Sequence, residues 1–114
     1  MTASLERGAV VWVGFDPTLG REQRGTRPAL VVAGAGYLAS VRGLVVVLPV
    51  TSASRGWPHH VEILPAVGRL SQQSFAMTEQ PRTISRERVG DRIALADRTT
   101  LAEVDRWLRD FLEL

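Results

Sequence analysis

The sequence predicts a mainly β fold with one C-terminal helix, and three observations carry that prediction. Valine-rich apolar runs of about four to eight residues recur between residues 8 and 96, separated by Gly, Pro, Asp and Ser clusters, as short strands and their turns require. Only the last segment repeats its apolar residues at helical spacing. At 114 residues the chain reads as one domain, residues 1–114, whose core is adequate only if most elements join it. Five or more short strands under one helix suit a small, strongly curved antiparallel barrel or sandwich.

Taken in order, residues 8–15 (GAVVWVGF) form a strand with at least one buried face, closed by Asp16 and Pro17. A loop over residues 16–27 leads to a second strand at residues 29–35 (ALVVAGA). Pro28 biases Arg27 towards extended geometry and aims it away from the strand entrance. Residues 36–43 are a connection. Residues 44–51 (LVVVLPVT) are the most apolar stretch, a strand buried on both faces, with Pro49 tolerable only at an edge or bulge. A turn-rich loop, SASRGWP at residues 52–58, returns into a hairpin strand at residues 59–64. Residues 65–73 read as irregular with a short helical turn. Residues 74–80 (SFAMTEQ) alternate, PRTIS continues extended, and a turn around Gly90 precedes the last apolar strand. The helix starts at a capping box of Thr100 and Glu103 and carries Leu101, Val104, Leu108, Phe111 and Leu112 on one face. Asp105 with Arg109 and Arg106 with Asp110 are outer pairs four apart, worth about 0.2–0.5 kcal/mol each.

Composition removes several function classes. There is no cysteine, so disulfides, thiolate zinc sites and thiol nucleophiles are excluded, and no GxSxG elbow supports a serine hydrolase. The two histidines, His59 and His60, are adjacent on an expected strand, where neighbours point to opposite faces; no metal site and no cofactor are expected. All 14 basic residues are arginines, which sets the sequence pI near 10.4 although the net charge is only +2. Arginine forks suit phosphates, but a GC-rich genome produces the same composition, so charge alone selects no partner. No apolar run reaches membrane-spanning length and residues 1–8 lack a signal-peptide core, so a cytoplasmic protein without a membrane partner is expected.

One loop concentrates charge and glycine. GREQRGTRP, residues 20–28, carries three arginines, a glutamate, a glutamine and two glycines, far more than a turn requires. Arg27 at its end and Thr51 at the end of the third strand both lie where a strand meets a loop. They converge if the second and third strands are neighbours, as a guanidinium and a hydroxyl suited to a developing phosphorane charge. A salt bridge from Arg27 to Glu22 and a turn cap at Thr51 are equally open readings.

The stretch RGAVVWVGFDPTLGREQRGTRPALVV resembles the opening of the MazF/PemK family of toxin endoribonucleases, or mRNA interferases, with their G-x-E-Q-x-G-x-R-P signature. LPVTSA around Thr51, SFAMTEQPRTIS and the closing helix resemble later family blocks in the same order, so the resemblance covers essentially the whole chain. It implies an SH3-like barrel of the MazF/PemK/CcdB type, a homodimer, and metal-independent cleavage of single-stranded RNA. The substrate 2′-hydroxyl attacks, leaving 2′,3′-cyclic phosphate and 5′-hydroxyl ends. On that resemblance Arg27 and Thr51 are the catalytic pair. Glu22, Ser74, Glu79, Gln80 and Arg82 match RNA-groove positions, and Gln23 and Ser52 join them. Arg21 and Arg24 add charge beside the phosphate path, and Arg55 or Trp57 offers a stacking surface for a base, although Trp57 equally suits a loop anchor. The implied inhibitor is a MazE-like antitoxin with a flexible acidic tail.

Two rival classes remain. A CcdB-like toxin that binds DNA gyrase shares the fold but has no chemical use for Arg27 and Thr51. An SH3-like peptide-binding module needs an aromatic groove, which one tyrosine and three scattered tryptophans do not evidently supply.

Overall fold

A computed structural model describes residues 5–14 and 26–114. Within them eight strands form one antiparallel sheet: β1 (Ala9–Gly14), β2 (Thr26–Val31), β3 (Leu44–Thr51), β4 (His60–Glu62), β5 (Pro65–Gly68), β6 (Phe75–Met77), β7 (Arg82–Ser85) and β8 (Val89–Ala96). Two helices join it, α1 (Ala35–Ser40) and α2 (Arg98–Leu112). The spatial order is β4-β6-β3-β2-β1-β8-β5, with β7 also on β3.

The curl of the sheet is set at β3. Its first half, Leu44 to Val47, pairs with β7, and its end, Val50 and Thr51, pairs with β6. The two partners diverge, so the sheet bends into a half-barrel there. Pro49 falls in the gap between the two pairings, where a missing N–H costs least.

Both faces of the central strands are buried, which is why their sequences are almost continuously apolar. Val11, Val13, Val31, Val45 and Val47 pack on one face, under Tyr37 and Leu38 of α1. Val10, Leu30, Leu48, Val50 and Ile63 pack on the other, under Leu101, Val104, Trp107 and Leu108 of α2. The helix runs past the sheet: Phe111 and Leu112, expected on its buried face, are exposed.

Several expectations are corrected. Residues 36–43 are not a bare connection, because residues 35–40 form α1. Residues 65–73 contain strand β5, whose four residues are all exposed and which is held by pairing with β8, not a helical turn. The turn expected at Gly90 lies earlier, as a single 3₁₀ turn at Arg86–Arg88, and Gly90 is within β8. The cap of α2 is Asp97, whose carboxylate accepts from the Thr100 N–H at 2.8 Å. Thr100 itself is buried, and its hydroxyl accepts from the Leu64 N–H at 3.0 Å, tying the helix to the β4–β5 connection. Arg106 pairs with Glu103 three residues back, while Asp105 is taken by Arg7. Arg27 lies inside β2, opposite Val13. None of the helices described is long and apolar enough to cross a membrane.

Candidate functional site

The antiparallel register of β2 and β3 pairs Ala29 with Pro49, Leu30 with Leu48 and Val31 with Val47. Stepping that register two residues outward brings Arg27 opposite Thr51, one at the start of β2 and one at the end of β3. The neighbourhood that the two side chains needed in order to converge therefore exists.

They open onto a cleft of about 620 Å³. Its lining includes Arg27 and Thr51 with Ser52 and Arg55 of the following loop, and Ser71, Gln72 and Ser74 of the β5–β6 connection. Gln80 and Arg82 close the end. The described lining thus holds three arginines and no carboxylate, a donor set that attracts an anion and offers a divalent metal nothing hard to bind. The Thr51 hydroxyl accepts from the Ala53 N–H at 3.1 Å, which fixes its rotamer at the cleft edge and leaves its proton to donate. Ser74 is buried and donates to the Gln72 carbonyl at 2.9 Å, bracing that connection.

Seven of the residues singled out from sequence meet here: Arg27, Thr51, Ser52, Arg55, Ser74, Gln80 and Arg82. Arg21, Glu22, Gln23 and Arg24 lie outside the described residues. Trp57 is not in the lining; its ring stacks on His59 with centroids 5.6 Å apart, and the Arg55 guanidinium sits 5.5 Å over it. Glu79 is also outside the lining. It turns away to the two histidines, with Oε2 3.1 Å from His60 Nε2 and Oε1 3.6 Å from His59 Nε2. The expectation that the adjacent histidines diverge is therefore overturned: His59 precedes β4 in a turn, where strand alternation does not apply, and both rings meet one carboxylate.

Glu79 remains linked to the cleft through its neighbour, since Gln80 Nε2 donates to Glu79 Oε2 at 3.1 Å. Partial burial pushes the Glu79 carboxyl up. Hydrogen bonds from His60, the backbone and Gln80, with the His60 charge, outweigh it and hold the group below the usual glutamate value.

Residues 6–112 match the family model described as PemK-like, MazF-like toxin of type II toxin-antitoxin system. The chain belongs to this PemK/MazF toxin family. It is 37% identical to Endoribonuclease PemK of Escherichia coli over 90% of this chain and 77% of that protein. Endoribonuclease EndoA of Bacillus subtilis is 32% identical, with 96% of each chain covered. Among solved structures, MazF of Deinococcus radiodurans superposes with a TM-score of 0.78 at 34% identity, covering 98% of this chain and 99% of that one. A MazE-MazF complex of the same organism gives 0.76 at 31% identity, covering 98% and 99%. The curled sheet with a C-terminal helix is thus the MazF architecture.

The PemK/MazF motifs account for Arg27, Thr51, Ser74, Gln80 and Arg82 in the lining but not for Leu70, Ser71 and Gln72. Leu70, Ser71 and Gln72 lie in the segment read as irregular, and no periodicity or motif marks them. The His59–His60–Glu79 cluster was legible only as an adjacent histidine pair and a single glutamate 19 residues beyond His60.

Proposed function

We propose that this chain is the toxin of a type II toxin-antitoxin pair, acting as a metal-independent endoribonuclease on single-stranded RNA. The observation that carries the reading is the cleft itself: among the described residues its lining holds Thr51 with three arginines and no carboxylate. Such a lining favours a phosphodiester, and it suits a single strand whose backbone tracks the charge.

The reaction this supports is an internal transfer. The 2′-hydroxyl oxygen attacks the adjacent phosphorus, its proton leaves, the bond from phosphorus to the 5′-oxygen breaks, and that oxygen takes up a proton. The products are a 2′,3′-cyclic phosphate and a 5′-hydroxyl. Charge gathers on the non-bridging oxygens in the transition state, and Arg27 is placed to meet it with a fixed fork of donors. A guanidinium gives up a proton reluctantly, so electrostatic clamping is its main contribution. Thr51, held by Ala53, donates its hydroxyl proton to the same phosphate. Arg55 and Arg82 hold flanking phosphates, and Ser52, Ser74 and Gln80 supply polar contacts for bases or sugars. Arg21, Glu22, Gln23 and Arg24 extend the same path.

Relatives solved as MazE-MazF complexes support a cognate antitoxin as the partner, and a flexible acidic segment suits the arginine cleft. A homodimer and a cytoplasmic location belong to the same reading. The test is the chemistry of the ends produced from single-stranded RNA in excess EDTA. The downstream fragment is expected to accept a 5′-phosphate directly, and the upstream fragment to resist 3′-adaptor ligation until its cyclic phosphate is opened and the resulting monophosphate removed to leave a 3′-hydroxyl. Ends bearing 5′-phosphate and 3′-hydroxyl, or loss of cutting in EDTA, would overturn the proposal.

A further inference from the structure

We propose that His59, His60 and Glu79 form a binding site for a divalent transition-metal ion of zinc type, beside the cleft and linked to it through Gln80. The three donors are His59 Nε2, His60 Nε2 and a Glu79 carboxylate oxygen, and they all lie within 4.8 Å of one another. The imidazole nitrogens stand 3.6 Å and 3.1 Å from the two carboxylate oxygens. Tetrahedral zinc with bonds of about 2.0–2.1 Å holds its ligand atoms about 3.3 Å apart, so three donors spread within 4.8 Å need only a small inward movement of the partly exposed side chains to close on the ion. Two imidazoles and one carboxylate are a borderline-soft set that suits zinc and leaves a fourth position for water. That position faces solvent, since the His59 and Glu79 side chains retain 25% and 30% exposure.

The cluster is built, not incidental to two mobile side chains. Thr78 fastens the two segments by donating its hydroxyl (2.7 Å) and its backbone N–H (3.4 Å) to the His59 carbonyl. The His60 ring is buried, and the His59 ring is enclosed by Trp57 at 5.6 Å, Trp107 at 6.1 Å and Phe111 at 5.6 Å. Ring entropy is therefore already lost before an ion arrives. Among the described residues Nδ1 of His60 is buried with no hydrogen-bond partner, so none of them orients that ligand from outside. Metal-bound histidines usually have one, and its loss typically costs about 10–100-fold in affinity. The site is accordingly weaker than a fully supported one, which suits an exchangeable regulatory ion better than a permanently held structural ion.

Its consequence for the cleft follows from one hydrogen bond. The Glu79 oxygen nearest His60 is the one that accepts from Gln80, and Gln80 lines the cleft. An ion drawing on that oxygen competes with the Gln80 amide and releases it towards the cleft. Binding itself is independent of the proposed RNA chemistry, and only this coupling rests on it.

The test uses the full, untagged chain stripped with EDTA and dialysed free of it. Zinc chloride is titrated by calorimetry, and cobalt(II) is added separately to read the visible bands of a tetrahedral complex. Saturable binding of one ion per chain is expected, together with tetrahedral cobalt bands. His59→Ala and Glu79→Gln, which alter partly exposed side chains, should each weaken zinc binding at least tenfold while circular dichroism stays unchanged. Wild-type-like zinc binding in both variants, or no saturable binding to the wild type, would overturn the proposal.

Discussion

Gly68→Ala should destabilise the protein far more than an alanine at another left-handed glycine, because β5 approaches β8 closely at this point. Gly68 has φ +81°, and a Cβ there would lie 2.6 Å from the Ile93 carbonyl oxygen and 2.9 Å from the Ala94 Cα. Both are backbone atoms of a paired strand and cannot swing aside. Restoring ordinary contact, from 2.6 Å to at least 3.4 Å, requires β5 to part from β8. The left-handed backbone costs a non-glycine residue about 1–2 kcal/mol, and forced overpacking adds about 1–3 kcal/mol, for a loss of about 2–5 kcal/mol. Gly43 is the control, with φ +82° and nothing within 4 Å of its would-be Cβ. Gly43→Ala should lose only the backbone share, about 1–2 kcal/mol. The assay is urea unfolding followed by tryptophan fluorescence at one fixed protein concentration, which removes any contribution from self-association. Equal losses in the two variants would refute the close β5–β8 seam. The seam also matters to the site, since the chain leaves Gly68 directly into Leu70, Ser71 and Gln72 of the cleft wall.

Three further outcomes are expected. Arg86 donates to the carbonyls of Leu44 (2.9 Å), Leu38 (2.6 Å) and Val41 (3.1 Å), fastening α1 to β3. Arg86→Ala should cost about 1.5–3 kcal/mol in urea unfolding, and Arg86→Lys should recover only part of it because an ammonium lacks the planar fork; full recovery by lysine would contradict this. The Glu79 carboxyl lies below its ordinary value near 4.5, so the fold favours its ionised form. Its stabilisation is complete above that value and is lost as pH falls through the lowered one. Unfolding midpoints measured from neutral to acid pH should therefore decline less steeply below about pH 4.5 in Glu79→Gln than in the wild type, and parallel curves would refute the assignment. Finally, Arg55→Ala should weaken single-stranded RNA binding and reduce the slope of log affinity against log salt by about 0.7, one phosphate contact; an unchanged slope would remove Arg55 from the phosphate track.

What the sequence revealed and what it concealed have a common physical basis. The strands β1, β2 and β3 were legible because both of their faces are buried, which forces runs such as AVVWV and LVVVLPV. β5 was hidden because PAVG buries none of its side chains and is held by backbone pairing alone. α1 was hidden because a six-residue helix with a glycine and only Tyr37 and Leu38 packed inward has too short a pattern to recur. The Thr100–Glu103 capping box was a plausible signal, but Asp97 sits three residues before Thr100 and takes the cap, which frees the threonine hydroxyl for Leu64. In the site, Arg27 and Thr51 were legible because each sits in a motif at a strand end, and antiparallel neighbours bring such ends together. Leu70, Ser71 and Gln72, by contrast, belong to no motif. The histidine cluster depends on one residue of position: with His59 in the turn before β4, alternation fails and two rings meet one carboxylate.

The proposed function rests on Arg27 supplying transition-state charge stabilisation for RNA cleavage without a metal. The measurement that tests it most directly is the cleavage rate of wild type and Arg27→Ala on the same single-stranded RNA in excess EDTA, with folding checked by circular dichroism. Steady cutting by the wild type is expected, with a fall of about 10²–10³-fold in the variant, the usual loss when one such donor is removed. A variant that cuts at the wild-type rate would contradict that role.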